Sequence, residues 1–169
     1  MWEKFYPKEY IPSAYEIDFA AYYAAGYRGI LFDVDNTLVP HGAPVTPQAE
    51  ALFDRLRGIG FATCLISNNG EERVAPFAEA VGSPYLHKAG KPGKKGYRAA
   101  LGKMGVSEGR ALFVGDQIFT DIYGANRCGM YTILTEPIHP KEEIQIVLKR
   151  YLEKIVLFFY RRRKKQLRK

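Results

Sequence analysis

The sequence predicts a single doubly wound α/β domain built on a parallel sheet, and three observations support this prediction. Short aliphatic runs typical of buried parallel strands alternate with segments of helical periodicity, which is the pattern of βαβ units. Glycines stand where the predicted helices stop, and 169 residues are enough for one domain with an adequate core. The predicted strands are Gly29–Asp33, Phe61–Ile66, Ala111–Val114 and Tyr131–Leu134, and the predicted helices are Pro47–Gly58, Glu71–Ala80 and Lys94–Met104.

Composition divides the chain into three parts. Residues 1–28 hold nine of the 23 aromatic residues. We expect this segment to pack on the core, although Trp and Tyr also favour the headgroup region of membranes. Residues 29–140 contain the predicted α/β core, and residues 141–169 are expected to form an amphipathic helix with a basic tail.

The first predicted strand runs into two carboxylates, Asp33 and Asp35, which are followed by Thr37. Ligands of open α/β sheets bind just outside the carboxyl ends of the strands. Neighbouring carboxylates repel each other unless a bound cation or a proton neutralises part of their charge. The pair therefore indicates a metal-assisted reaction in which one carboxylate attacks and the other moves a proton. The alternative is an ordinary turn, since Asp and Asn are common turn residues.

The second predicted strand ends in Ser67 and Asn68. A hydroxyl and the backbone N–H groups that follow it form an anion cradle where a helix begins. Simple capping of the helix that follows is the alternative, and the two interpretations are compatible.

Lys91 lies in a loop that contains several other lysines and glycines. One lysine of this loop could neutralise a phosphoryl group and the attacking aspartate. The alternative is a solvated basic loop, which is what most lysine clusters are.

The third predicted strand runs into Gly115 and Asp116, and Asp121 follows five residues later. Mg²⁺ prefers oxygen ligands and keeps several waters, so Asp33 and Asp116 with a backbone carbonyl form a plausible ligand set. Asp121 suits a role in holding the loop. An isolated Gly-Asp pair would be an ordinary turn.

These four polar clusters, in this order, resemble the motifs of the haloacid dehalogenase (HAD) superfamily from about Gly29 to Leu134. Within the superfamily they resemble the IIIA-type phosphatases, and more narrowly the YqeG-like group, which is similar to phosphatidylglycerophosphate phosphatases. The resemblance implies a Rossmann-like HAD fold, a Mg²⁺ cofactor and hydrolysis of a phosphomonoester through an aspartyl-phosphate. It also implies a lipid substrate.

The resemblance implies catalytic roles for individual residues. Asp33 resembles the nucleophile, and Asp35 resembles the general acid that protonates the leaving group and then activates water. Ser67 and Asn68 would hold phosphate oxygens. Lys91 would bridge the phosphate and Asp33.

The resemblance also implies metal ligands and residues that support them. The implied Mg²⁺ ligands are Asp33, Asp35 and Asp116. Thr37 and Asp121 would support the loops. Gln117 departs from the family pattern, because many relatives have a second acidic residue there, and this leaves Asp121 as the remaining acidic support.

The spacing of the motifs leaves no room for a cap domain. Asp35 and Ser67 are separated by 31 residues, Ser67 and Lys91 by 23, and each gap is already used by one helix-strand unit. An uncapped site is open, which favours a phosphate presented on a protein, a nucleic acid or a membrane. An oligomer could instead supply a lid in trans.

The net charge of +7 resides in the tail. Residues 161–169 contain seven basic residues and no acid, so the rest of the chain is formally neutral. The apolar run 155–160 directly precedes them and exceeds what one helix face needs against a core. Apolar aromatics followed by a basic cluster favour an anchor on an anionic membrane, and the alternative is a helix docked on the domain with a solvated tail.

Location and partners follow from the same features. The first residues lack a signal-peptide pattern, and no uncharged stretch approaches the length of a membrane span. We expect a cytoplasmic protein that associates peripherally with the inner face of the membrane. Nucleic acid is a less favoured partner. Three classes stay open: a phosphatase at the membrane surface, a phosphatase for a nucleic-acid end, phosphoprotein or small metabolite, and a non-catalytic binding module.

Overall fold

Six parallel strands form one sheet in the order β1-β6-β5-β2-β3-β4. This is a computed structural model, which describes residues 2–139 and 144–166, with the backbone alone for residues 144–148. The predicted parallel α/β fold is confirmed. The strands are β1 (Glu9–Tyr10), β2 (Gly29–Phe32), β3 (Ala62–Ile66), β4 (Tyr85–Leu86), β5 (Ala111–Gly115) and β6 (Tyr131–Leu134).

Six α-helices surround the sheet in the described residues. The predicted helices end within one residue of the observed α2, α3 and α4. The helices are α1 (Phe19–Ala24), α2 (Pro47–Ile59), α3 (Glu71–Val81), α4 (Lys94–Met104), α5 (Tyr123–Arg127) and α6 (Ile144–Gln166). A π-helical turn, Ile118–Ile122, connects β5 to α5.

The boundaries of α2 follow from its terminal residues. Thr46 caps its start, because the hydroxyl accepts a hydrogen bond from the Ala49 N–H at 3.2 Å. Pro47 follows at the first turn, where its missing N–H costs nothing. Gly60 ends the helix with φ of 111°, a left-handed conformation that favours glycine.

The sheet separates two cores. Phe32 of β2 faces the core shared with α1, α2 and α3, where Phe53 is fully buried. Leu31 faces the opposite core, which contains Cys64 and the α4 residue Tyr97. Cys64 is therefore a small core residue.

Strand pairing brings the polar strand ends together. Phe32 pairs with Leu65 of β3 on one side and with Val114 of β5 on the other. The chain leaves β2 toward β3, while β5 returns on the opposite side, so the end of β2 is a topological switch point. The catalytic residues predicted from sequence therefore converge at this edge.

No cap domain covers this edge in the described residues. Only a loop and α2 connect β2 to β3, and only α3, β4 and short loops lie between β3 and α4. The site is open, as the motif spacing predicted.

The helix α6 has two different faces. Val156 is 1% exposed and packs near Ile118, Ile122 and Leu134, whereas the opposite face is exposed to solvent. The helix is thus docked on the domain and also leaves an apolar face uncovered. Among the described residues, no helix combines the length and apolar character that crossing a bilayer requires.

A pair of leucine substitutions distinguishes the buried core from the exposed face of α6. Leu56→Ala removes a fully buried side chain, so the free energy of unfolding should fall by about 2–5 kcal/mol. Leu152 on α6 is 53% exposed, so Leu152→Ala should change that energy by less than about 0.5 kcal/mol. Urea titration followed by circular dichroism measures both. A large loss of unfolding free energy for Leu152→Ala would show that Leu152 belongs to the core.

Candidate active site

The loop after β2 places Asp33 at the open edge. The Asp33 N–H donates to the Val114 carbonyl at 3.0 Å, so strand pairing extends one residue past Phe32. The chain then turns tightly, because the Leu38 N–H donates to the Val34 carbonyl at 2.9 Å. Asn36 allows this turn with φ of 63°.

Lys91 joins two carboxylates at this edge. Its ammonium group donates to Asp33 Oδ1 at 2.6 Å and to Asp121 Oδ1 at 2.7 Å. The lysine side chain is 4% exposed, so it is a buried group and the alternative of a solvated basic loop does not apply to it. Both contacts are charge-assisted hydrogen bonds, which are stronger than hydrogen bonds between neutral groups.

Asn68 positions Lys91. The Lys91 N–H donates to Asn68 Oδ1 at 2.7 Å, and Asn68 Nδ2 donates to the Lys91 carbonyl at 3.0 Å. Both ends of the Asn68 side-chain amide therefore grip the lysine backbone. Sequence reasoning assigned Asn68 to the phosphate only and did not predict this contact.

Ser67 lies at the end of β3 on the same edge and is 2% exposed. Its N–H donates to the Leu86 carbonyl at 2.9 Å, and its hydroxyl accepts from the Asn69 N–H at 3.1 Å. The residue before α3 is Gly70, with no side-chain capping bond. The capping alternative for Ser67 is therefore not observed.

Three buried carboxylates form a group that could hold a cation. One oxygen from each of Asp33, Asp116 and Asp121 lies within 4.8 Å of the others. The Thr37 hydroxyl lies 3.3 Å from Asp33 Oδ2 and 3.2 Å from Asp116 Oδ1, so it can donate to either. Gly115 makes space for Asp121, because a Cβ atom at Gly115 would lie 2.6 Å from Asp121 Oδ2.

The electrostatics of this group favour a bound cation. Burial raises the pKa of Asp33, and Lys91 only partly opposes this effect. Burial and the neighbouring charges of Asp33 and Asp121 also raise the pKa of Asp116 well above its ordinary value. Carboxylates that repel in a desolvated site are stabilised by a divalent ion, and this oxygen donor set fits Mg²⁺.

The structure does not bring the Asp35 carboxylate into this group. Its oxygens instead accept hydrogen bonds from the Gly42 N–H at 2.8 Å, Asn69 Nδ2 at 2.7 Å and Arg73 Nη2 at 2.9 Å. Burial acts to raise the pKa of Asp35, but Gly42 and Arg73 outweigh it and hold the pKa below its ordinary value. The acidic residue that joins Asp33 and Asp116 is Asp121, which the sequence assigned to loop support.

Two residues of α6 reach the site, and sequence reasoning missed both. The Arg150 guanidinium pairs with Asp116 Oδ2, and its Nη1 donates to the Asp116 carbonyl at 2.6 Å. Glu153 Oε1 accepts from the Ile118 N–H at 2.7 Å. The only sequence signal was that Arg150 and Glu153 are three residues apart and hence share a helix face.

Carboxylates and a lysine at the edge of a parallel sheet are the arrangement that the four sequence motifs implied. The sequence profile described as haloacid dehalogenase-like hydrolase matches residues 41–129. The chain therefore belongs to the haloacid dehalogenase-like hydrolases.

Individual relatives are similar along most of the chain. The "Probable phosphatase YqeG" of Bacillus subtilis (strain 168) is 32% identical over 165 residues, which cover 96% of each protein. "Phosphatidylglycerophosphate phosphatase 1, chloroplastic" of Chlamydomonas reinhardtii is 33% identical over 84% of this chain. The match to "Phosphatidylglycerophosphate phosphatase 1, chloroplastic/mitochondrial" of Arabidopsis thaliana is 32% identical over 82% of this chain. The chain spans only 57% and 45% of the lengths of these last two proteins.

Solved structures share the fold at low sequence identity. A hypothetical protein from Xanthomonas campestris superposes with a TM-score of 0.55 and 19% identity, over 77% of each chain. An uncharacterized protein from Listeria monocytogenes serotype 4b superposes with a TM-score of 0.54 and 18% identity. That match covers 69% of this chain and 86% of the other.

The close approach of Gly115 to Asp121 gives a testable prediction. Gly115→Ala should displace Asp121 from Lys91 and lower phosphomonoester hydrolysis by about 10-fold or more, since residues that orient ligands matter at this level. Gly102→Ala is the matched control, because a Cβ atom there meets nothing within 4 Å. The control should keep full activity in a p-nitrophenyl phosphate assay. Native activity in Gly115→Ala would contradict the prediction.

Proposed function

We propose that the chain is a Mg²⁺-dependent phosphomonoester phosphatase that acts on phosphatidylglycerophosphate at an anionic membrane surface. The observation that carries the catalytic part is the buried bridge from Asp33 through Lys91 to Asp121, with Asp116 and Thr37 beside it. The lipid part draws on the relatives and on the surface of α6.

Asp33 acts as the nucleophile in this mechanism. A carboxylate oxygen of Asp33 forms a bond to phosphorus while the ester P–O bond breaks, and the leaving oxygen takes a proton from Asp35. Water then attacks the phosphorus of the aspartyl-phosphate and gives a proton to Asp35. Phosphate leaves, and the Asp33 carboxylate is restored.

The neighbouring groups have distinct tasks. Lys91 favours the ionised form of Asp33 and offsets charge on the phosphoryl oxygens, and Ser67 binds one of those oxygens. Asp35 must take up a proton and reach the leaving group, so its bonds to Gly42 and Arg73 have to loosen during turnover.

Asp33, Asp116 and Asp121 would hold the Mg²⁺ ion. When bound, the ion offsets negative charge on the phosphoryl group and on the carboxylates around it. In this set the Asp121 carboxylate takes the place of the Asp35 side chain, which the resemblance had implied as a ligand.

The exposed face of α6 supports a membrane surface as the place of reaction. We define the outer face of α6 as Tyr151, Leu152, Ile155, Phe158 and Phe159. These five and Trp2 are six of the seven exposed large apolar side chains in the described residues. An apolar concentration of this kind marks an interaction surface.

The charges beside this face match an anionic lipid surface. The basic residues next to it are Lys154, Arg161, Arg162 and Lys165, which line one hollow of the helix with Leu157 and Phe158. Trp2 and Phe5 meet Leu152 and Ile155 at a second, apolar hollow. Aromatic and basic side chains on one helix that is not apolar enough to cross a bilayer are typical of a helix that lies at the lipid–water interface.

Replacing the nucleophile tests the catalytic proposal. Asp33→Asn should lower phosphate release by at least about a thousandfold, because the bond to phosphorus no longer forms. The fold should be kept, since the change removes one charge from a crowded anionic site. Asp54→Asn alters an exposed carboxylate on α2 and should leave activity unchanged.

The same assay separates the substrates. Phosphatidylglycerophosphate in mixed micelles, p-nitrophenyl phosphate and a 5′-phosphorylated oligonucleotide are compared by phosphate release, and we expect the highest kcat/KM for the lipid. A higher kcat/KM for the oligonucleotide would exclude the lipid as the preferred substrate but would leave the proposed phosphatase activity in place. Near-native turnover by Asp33→Asn would exclude the assigned nucleophile.

A charge substitution tests the membrane surface. Each basic residue near an anionic leaflet contributes about 1 kcal/mol, so Arg161→Gln with Arg162→Gln should weaken binding to anionic vesicles by about 10- to 30-fold. Hydrolysis of soluble p-nitrophenyl phosphate should not change. The control pair Arg55→Gln and Lys103→Gln removes the same charge from exposed sites on α2 and α4. Equal vesicle binding by the two pairs, measured by sedimentation, would refute the assigned surface.

A further inference from the structure

The inner face of α6 holds the segment that carries two of the three clustered carboxylates. Arg150 Nη1 donates to the main-chain oxygen of Asp116 at 2.6 Å and to Glu153 Oε2 at 3.0 Å. Glu153 in turn accepts from the Ile118 N–H at 2.7 Å. Ile118 begins the π-helical turn that contains Asp121. Arg150 and Glu153 therefore hold the start of the turn that leads from Asp116 to Asp121.

The two oxygens of Asp116 have different partners. Oδ1 lies 3.2 Å from the Thr37 hydroxyl, on the side of the carboxylate group. Oδ2 pairs with the Arg150 guanidinium. The last torsion of an aspartate side chain is soft, so a fixed partner on one oxygen also sets the direction of the other.

The pair between Arg150 and Asp116 differs from ordinary surface ion pairs. The Asp116 side chain is 0% exposed and the Arg150 side chain 16%. Exposed pairs contribute little to stability, whereas residues that orient a metal ligand typically matter 10- to 100-fold in affinity or activity. The fork of the guanidinium also fits two acceptors at once, which a lysine ammonium cannot reproduce with the same geometry.

We propose that Arg150 is a positioning residue for the cation site, which acts through Asp116 with the help of Glu153. The proposal rests on the proposed function, because it assumes that Asp116 is a Mg²⁺ ligand. If Arg150 has this role, α6 contributes to the active site in addition to packing against the domain. None of the four sequence motifs includes this helix.

Two effects of removing Arg150 oppose each other and can be separated. Loss of a positive charge beside Asp116 favours Mg²⁺ binding, whereas loss of the fixed orientation disfavours it. Arg150→Gln removes both the charge and the fork, and Arg150→Lys keeps the charge without the fork. If orientation dominates, both variants bind Mg²⁺ more weakly than the native chain.

The experiment measures Mg²⁺ affinity by titration calorimetry on the full chain, along with kcat and KM for p-nitrophenyl phosphate. We expect Arg150→Gln to lower the Mg²⁺ affinity and kcat by about 10- to 100-fold, with KM changed less and with a native circular dichroism spectrum. Arg150→Lys should fall between Arg150→Gln and the native chain. The control Lys149→Gln removes an exposed charge from the neighbouring position and should match the native chain.

Each outcome decides the proposal. Native or tighter Mg²⁺ binding with native kcat in Arg150→Lys and Arg150→Gln would overturn it, and if Arg150→Gln does not fold, Arg150→Lys alone decides. A native chain that binds no Mg²⁺ would overturn the proposed cofactor and this proposal together. Failure of the lipid substrate alone leaves the positioning role intact, because neither readout uses lipid.

Discussion

The arrangement of the active edge depends on several like charges buried in one place. Asp33, Asp116 and Asp121 are almost fully buried, and one oxygen of each could meet a common ion. Two unit charges 4 Å apart repel by about 4 kcal/mol at an effective dielectric constant of 20, so such a group needs positive partners. Lys91 and Arg150 supply two of them. In the proposed function, a divalent ion would offset the negative charge that remains.

The residues around the site hold these charged groups in fixed positions. Asn68 grips the main chain of Lys91, the missing side chain of Gly115 admits Asp121, and Thr37 stands between two of the carboxylates. Thr37 thereby joins the ends of β2 and β5, and Asn68 joins the end of β3 to the loop before α4. The sheet therefore forms a rigid base, and the contacts within the loops at its edge fix the orientation of the charged side chains.

The sequence predicts the sheet and most of its edge, because buried parallel strands leave a strong apolar signal and their polar ends are easy to see. The two-residue strands β1 and β4 give no such signal. Burial of Lys91 and the turning of Asp35 toward Arg73 depend on packing between distant segments. Arg150 stayed hidden because an arginine on an amphipathic helix usually marks the solvated face, and only tertiary structure shows which face is inner.

The contact between Arg150 and Asp116 also has a consequence for the order in which the protein matures during synthesis. Lys91 and the three clustered carboxylates have all been synthesised once residue 121 is made, but Arg150 follows 34 positions after its partner Asp116. A nascent or prematurely terminated chain that stops before residue 150 would thus contain the three clustered carboxylates without Arg150, the residue proposed to orient Asp116. Full hydrolytic competence would then begin only when α6 has folded back onto the sheet.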